Sequence, residues 1–211
     1  MMTLESTHPV VLFDLDNTLF DHNHSLRSAI SAVQENYAYL AEHVLEELIA
    51  RYNAALQQAY SQYLYKEITY EEADVMKVQL FFTGLGLPSP TPEEGRDFRA
   101  TYKPAYRENQ RATSGSIETL IRLRENGYRL AIVSNGQIDD QTAKAEAIGI
   151  RHLVDRIVTS EEAGYCKPDR RIFEFAIEAL DASPQMTYMV GDSLDSDIKG
   201  ALNAGLNAIL Y

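Results

Sequence analysis

Two short segments of this sequence place acidic side chains close together, at spacings that suit shared chemistry. Asp14 and Asp16 stand two residues apart directly after an apolar run, and GDSLDSD contributes Asp192, Asp195 and Asp197. Paired carboxylates can serve as nucleophile, as general acid and base, or as oxygen ligands of a divalent cation. Because clustered carboxylates repel each other by about 4 kcal/mol per close pair at an intermediate dielectric, such a group favours a bound metal ion.

Polar and basic candidates come from two further segments. SNG at 134–136 follows an apolar run, and CKPD at 166–169 contains Lys167. The chain has 19 Lys plus Arg against 31 Asp plus Glu, a net charge of −12 at pH 7, so an anionic ligand needs local positive charge. Lys167 can supply it. The same acidic balance, without a compact basic stripe, leaves nucleic acid out of the expected partners.

Short apolar runs and helical patterns alternate around these segments. Residues 9–13 predict a buried strand, and from residue 114 onward four more strands alternate with four helices. We predict the strands at 129–134, 155–159, 186–190 and 207–210, and the helices at 114–126, 139–148, 169–180 and 195–204. This alternation indicates an α/β fold with a parallel sheet covered by helices on both faces.

Residues 23–108 differ, because their pattern is helical almost throughout. Apolar side chains recur there every three or four positions, first at Leu26, Ile30, Val33, Tyr37, Leu40 and Val44, then at Leu45, Leu48, Tyr52, Leu56, Tyr60 and Tyr63. Two more helices are predicted at 69–83 and 92–107, separated by the breaker-rich GLGLPSPTP. Since the first strand belongs to the sheet, we predict a core of residues 1–21 and 110–211 with a helical cap inserted at 22–109.

The predicted strand ends bring the reactive residues together. In open parallel sheets, binding sites form beyond the carboxyl ends of the strands. Here those ends carry Asp14 and Asp16 after the first strand, Ser134 at the end of the second, and Asp192 after the fourth. We therefore expect one site at this edge of the sheet.

The four segments, in their order along the chain, resemble the motifs of the haloacid dehalogenase superfamily. They are FDLDNTLF at 13–20, SNG at 134–136, CKPD at 166–169 and GDSLDSD at 191–197. The resemblance spans nearly the whole chain, and the helical insertion sits where one large class of these enzymes carries a helical cap. The pattern is similar to that of capped phosphatases, including pyrimidine 5'-nucleotidase-like and N-acylneuraminate-9-phosphatase-like hydrolases. It implies a Rossmann-like sheet of strand order 5-4-1-2-3.

The resemblance also implies an activity, that of a magnesium-dependent phosphomonoester hydrolase with an aspartyl-phosphate intermediate. Asp14 would be the nucleophile. Asp16 would protonate the leaving oxygen and then activate water, and Lys167 would neutralise Asp14 together with the transferring phosphoryl group. Ser134, with the backbone amides of Asn135 and Gly136, would bind the phosphoryl oxygens alongside Lys167.

A magnesium site follows from the same resemblance. Its ligands would be the Asp14 carboxylate, the backbone carbonyl of Asp16, and Asp192. Asp197 would ligate Mg²⁺ directly or, as we favour, through water. Asp195 lies one helical turn from Asp192 and competes for this role, but the family spacing favours Asp197. An oxygen-only set with bound water suits Mg²⁺ better than Zn²⁺.

The remaining features bear on substrate and location. The family pattern implies a small phosphorylated metabolite, either a nucleoside monophosphate or a sugar phosphate. Nine of the 13 tyrosines fall in the predicted cap, where packing of the helices is their simplest role. His22 and His24 lie near the expected mouth of the cleft, and we expect solvated linker residues, with a substrate role as the alternative. Because related proteins often continue beyond the last predicted strand, we expect an exposed sheet edge near Tyr211.

Composition indicates a cytoplasmic protein. Cys166 is the only cysteine, which excludes an intramolecular disulfide and a structural zinc site built on several thiolates. The first residues have no basic region of a secretory signal, and no run approaches the roughly 20 apolar residues of a membrane span. We expect a monomer or homodimer without a membrane partner.

Three other functions remain open at this point. A 2-haloacid dehalogenase shares the fold, but it needs no metal and typically lacks an aspartate at the position of Asp16. A phosphomutase would form the same phosphoenzyme and depend on a bisphosphate activator. A non-catalytic binding module on a retained fold is the third alternative, and the intact set of Asp14, Asp16, Lys167 and Asp192 argues against it.

Overall fold

A five-stranded parallel sheet forms the centre of the computed structural model, which describes residues 8–211. The strands are β1 (Val10–Phe13), β2 (Arg129–Ser134), β3 (Arg156–Thr159), β4 (Thr187–Gly191) and β5 (Asn207–Leu210), in the order β3-β2-β1-β4-β5. The predicted parallel α/β fold and its strand order are therefore confirmed. β1 is apolar along its whole length because both of its faces are covered, and all four of its residues are buried.

Four helices follow β1 before the chain returns to the sheet. They are α1 (His22–Asn36), α2 (Leu45–Leu64), α3 (Tyr70–Gly84) and α4 (Pro92–Glu108). Capping boxes begin α3 and α4: Thr69 pairs with Glu72, and Thr91 pairs with Glu94. One periodic apolar run was predicted to continue from Leu26 to Val44. The structure corrects this, because α1 ends at Asn36 and the Val44 side chain is 62% exposed.

Aromatic side chains fill the interior of this helical unit. Tyr52 stacks on Tyr102 with ring centroids 4.9 Å apart, and on Phe98 at 6.0 Å. All three residues are buried, so packing accounts for these two tyrosines, as the sequence indicated. Tyr65, in contrast, is 78% exposed and lies outside this core.

The helices after residue 110 belong to the same unit as the sheet. They are α5 (Ser116–Glu125), α6 (Ile138–Ala147), α7 (Ser160–Ala163), α8 (Arg170–Ala179) and α9 (Gly200–Asn203), and a π-helical segment, Leu194–Lys199, precedes α9. The predicted single helix at 195–204 is therefore wrong in its first half. There the N–H groups of Asp197 and Ile198 both donate to the carbonyl of Ser193, at 3.0 and 3.2 Å. This wide turn carries Asp197 into the interior, where it is buried.

Contacts divide the chain into two units, one of residues up to His22 with Gln110–Tyr211, and one of Asn23–Asn109. β5 lies at an edge of the sheet, and Ile209 and Leu210 are more than half exposed. None of the helices described at 8–211 is both long and apolar enough to cross a membrane.

Candidate active site

Asp14 continues β1 at the carboxyl edge of the sheet. Its N–H donates to the carbonyl of Val190 at 2.9 Å, which extends the pairing of β1 with β4 by one residue. The buried carboxylate accepts two hydrogen bonds: Oδ1 lies 2.6 Å from Lys167 Nζ, and Oδ2 lies 3.2 Å from Thr18 Oγ1. Burial raises the pKa of Asp14 to about 6, although Lys167 acts in the opposite direction. The side chain is thus oriented by two donors in a poorly hydrated place.

Lys167 is a buried cation between two carboxylates. Its Nζ lies 2.6 Å from Oδ1 of Asp14 and 2.6 Å from Oδ1 of Asp197. Burial alone would lower the pKa of Lys167, but these two carboxylates outweigh it and the pKa is raised. Asn135 fixes the backbone here, because its Oδ1 accepts from Lys167 N at 2.7 Å and its Nδ2 donates to Lys167 O at 3.1 Å. Lys167 therefore stays protonated beside Asp14.

Asp197 approaches the site from the π-helical segment. Its Oδ1 accepts from Lys167, and its Oδ2 accepts from the N–H of Ser193 at 3.1 Å. A Cβ at Gly191 would come within 2.3 Å of this carboxylate, so only glycine leaves room for it at that position. Asp195 points elsewhere and pairs with the exposed Lys199.

One group of three acids could hold a cation. Ligand oxygens of Asp14, Asp192 and Asp197 all lie within 4.8 Å of one another. Burial, together with the charge of Asp197, raises the pKa of Asp192. When all four groups are ionised, the three carboxylates and the ammonium group of Lys167 together carry a charge of −2. That charge and the oxygen-only donor set fit a divalent ion such as Mg²⁺.

Asp16 faces a different partner. Lys144 Nζ, from α6, lies 2.7 Å from Oδ1 and 2.8 Å from Oδ2 of Asp16, and His22 Nδ1 lies 4.0 Å from Oδ1. Burial would raise the pKa of Asp16, but Lys144 and His22 outweigh it and the pKa is lowered. The expectation of a solvated His22 is corrected: its side chain is 17% exposed, and mainly burial lowers its pKa.

The segment predicted to bind phosphate is placed at the end of β2. Ser134 is buried, and its Oγ lies 3.5 Å from the carbonyl oxygen of Asn135, at the outer limit of a hydrogen bond. The N–H of Gly136 donates to Ser160 Oγ at 2.9 Å. This internal hydrogen bond disagrees with the predicted role of the Gly136 amide as a donor to a phosphoryl group.

The chain also matches a known protein family. The model of the haloacid dehalogenase-like hydrolase family matches residues 8–205, nearly the whole chain. The chain belongs to this family. The matched range contains every acid and lysine of the site described above.

Two relatives and one solved structure show how far the likeness of this chain to other proteins extends. Ribulose-1,5-bisphosphate 5-phosphatase of Halopiger xanaduensis is 32% identical over 207 residues, 95% of this chain and 83% of that protein. Glyceraldehyde 3-phosphate phosphatase of Methanothermobacter thermautotrophicus is 45% identical over 95 residues, so this match spans 45% of the chain and 42% of the relative. The magnesium-bound HAD-hydrolase YfnB of Bacillus subtilis superimposes with a TM-score of 0.80 at 23% identity, covering 97% and 89% of the two chains, which shows a shared fold.

Sequence reasoning did not find Thr18 and Lys144 as residues of this site, and it found Asn135 in a different role. Thr18 lies inside the first motif, and its spacing of four residues from Asp14 was the available signal. The side chain of Asn135 binds the backbone of Lys167, whereas only its amide had been considered. Lys144 lies in no motif segment, and its position in the helix after β2 was the only indication.

Proposed function

We propose that this hydrolase is a magnesium-dependent phosphomonoesterase that forms an aspartyl-phosphate on Asp14. One observation supports this most strongly: the Asp14 carboxylate is held by Lys167 and Thr18 within the acidic group that suits a divalent ion. Phosphoryl transfer depends mainly on positioning and on neutralising negative charge, and this arrangement provides both.

The chain's own residues account for two displacements at phosphorus. Asp14 attacks the phosphorus atom, and the bond to the ester oxygen breaks while the minor, protonated form of Asp16 gives that oxygen its proton. Asp16 then takes a proton from water as the water oxygen attacks the same phosphorus, which frees inorganic phosphate and restores Asp14. Splitting one displacement into two lowers the barrier of each, and general acid–base help typically contributes about 10²–10⁴-fold.

Lys167 and a bound Mg²⁺ would offset the negative charge of the ester and of the acids around it. Lys167 contacts Asp14 directly, so it is close to the phosphoryl group from the start of the reaction. Asp14, Asp192 and the carbonyl of Asp16 would hold Mg²⁺, with Asp197 as a ligand directly or through water. When bound, the ion supplies charge neutralisation and alignment of the phosphoryl group. Ser134 would donate to a phosphoryl oxygen.

A small phosphorylated metabolite is the proposed substrate, with sugar phosphates first and nucleoside monophosphates second. The two relatives described above are named for a triose phosphate and a pentulose bisphosphate. Their names support the class of sugar phosphates rather than one compound. A dehalogenase would have no use for the proton donor Asp16 or for the acid Asp192, so that alternative is disfavoured.

Assay of the chain with p-nitrophenyl phosphate and Mg²⁺ tests the proposal, followed by panels of sugar phosphates and nucleoside monophosphates. We expect release of inorganic phosphate that Asp14→Asn reduces below about one percent. A bisphosphate activator added to the same assay separates hydrolysis from mutase activity, which would require the activator. Turnover of 2-chloropropionate without release of phosphate from any ester would contradict the proposal.

A further inference from the structure

The ammonium group of Lys144 lies against Asp16, although none of the sequence motifs includes it. Its Nζ is 2.7 Å from one carboxylate oxygen and 2.8 Å from the other. The side chain of Lys144 is 16% exposed and that of Asp16 is 32% exposed. Ordering a long side chain in a largely buried place costs rotamer freedom and hydration, so this contact differs from the loose ion pairs of a protein surface.

The loop after β1 supports both partners. Lys144 Nζ lies 5.3 Å from the ring centroid of Phe20, at cation–π distance. Phe20 is fully buried, its N–H donates to the carbonyl of Leu15 at 2.8 Å, and its own carbonyl accepts from Asn17 N at 2.7 Å. The hydrogen-bonded loop that carries Asp16 therefore also carries the ring against which Lys144 rests.

We propose that Lys144 is a positioning residue that fixes the Asp16 carboxylate, through two hydrogen bonds, for proton exchange with the leaving oxygen and then with water. This inference rests on the proposed function and assigns it a residue that no motif contains. A carboxylate offers about four lone-pair sites, so each Asp16 oxygen keeps one beside Lys144, which can hold the proton for the leaving oxygen and, once empty, accept the proton of water. With both oxygens anchored, rotation of the carboxylate is restricted, and a proton donor acts only within hydrogen-bond reach.

Comparison of two esters isolates this role. An alkoxide such as that of glycerol 2-phosphate needs a proton to leave, whereas p-nitrophenolate departs as a stable anion. In Lys144→Met we expect kcat/KM to fall by about 10- to 100-fold with glycerol 2-phosphate and by less than about threefold with p-nitrophenyl phosphate. The value of kcat should fall with both esters, because the second displacement needs Asp16 as base whichever ester supplied the phosphoryl group.

Two further variants serve as controls. Lys144→Arg keeps a cation with two N–H donors and should recover most of the lost kcat/KM. Asp16→Asn should show the same dependence on the leaving group, and adding Lys144→Met to it should cause little further loss, because the two side chains act as a unit. Thermal midpoints of all variants, measured in parallel, separate this effect from failure to fold.

The possible results point in different directions. Equal losses of kcat/KM with both esters, or losses that add in the double variant, would overturn the role of Lys144, since a structural defect affects both substrates alike. An increase in kcat/KM on removing Lys144 would overturn it too, because Lys144 would then hold Asp16 off the reaction path. Absence of any phosphate release by the unaltered chain would contradict the proposed function itself.

Discussion

Replacement of Lys167 by methionine should destabilise the protein, apart from any effect on turnover. Lys167 is buried, and it neutralises Asp14 and Asp197, each 2.6 Å from its Nζ. Without it, two carboxylates whose oxygens lie within 4.8 Å of each other would repel by about 3.5 kcal/mol at an effective dielectric of about 20. Breaking a buried ion pair by removing one partner typically costs about 3–5 kcal/mol, so we expect a loss of that size.

Urea unfolding followed by circular dichroism near neutral pH, without added metal, measures this loss. For a chain of this length it corresponds to a fall in thermal midpoint of about 6–20 °C. Lys199→Met is the matched control, because Lys199 forms an exposed pair with Asp195 and should change stability by less than about 0.5 kcal/mol. Adding Asp197→Asn to Lys167→Met should restore part of the loss. A loss below about 1 kcal/mol for Lys167→Met would refute the assignment of Lys167 as the buried neutralising charge.

Three other predictions concern the same site. Gly191→Ala should displace Asp197 and lower kcat at least about tenfold. Gly84→Ala is the control, because a Cβ there meets no atom within 4 Å and kcat should stay unchanged. Equal kcat in both variants would contradict the close approach of Asp197 to Gly191. Thr18→Val removes the donor to Asp14 Oδ2 and should lower kcat/KM by about 10- to 100-fold, which is the value of a hydrogen bond to a charged group. An unchanged kcat/KM would show that this hydrogen bond does not orient the nucleophile. Chelation by EDTA should abolish phosphate release and Mg²⁺ should restore it, while Ca²⁺, with its looser coordination, should inhibit; equal rates with both ions would count against the assigned metal role.

Local patterns were sufficient to predict the strands, whereas their order in the sheet came from the family resemblance. β1 is a run of apolar residues that ends in acids, and β2 was predicted with its observed bounds because helix breakers and a polar turn flank it. The capping boxes at Thr69 and Thr91 likewise begin helices close to the predicted starts. Such signals are contained within a few neighbouring residues, so no knowledge of tertiary contacts was needed.

The features that sequence could not predict depend on contacts between distant segments. The π-helical turn at Leu194–Lys199 has an ordinary helical pattern, and its departure is linked to the burial of Asp197 beside Lys167. Lys144 and Asp16 are 128 residues apart in sequence, and no periodicity connects them. The Gly136 amide was assigned to phosphate because nothing in the sequence showed that Ser160 would accept its hydrogen bond.

Chemical trapping of the phosphoenzyme tests the central claim most directly. Reaction with a substrate, followed by rapid quenching and reduction with borohydride, converts an acyl phosphate to an alcohol that mass spectrometry can locate. We predict modification at Asp14 alone, dependent on Mg²⁺ and absent in Asp14→Asn. Modification at another residue, or continued turnover by Asp14→Asn at the rate of the unaltered chain, would contradict the account.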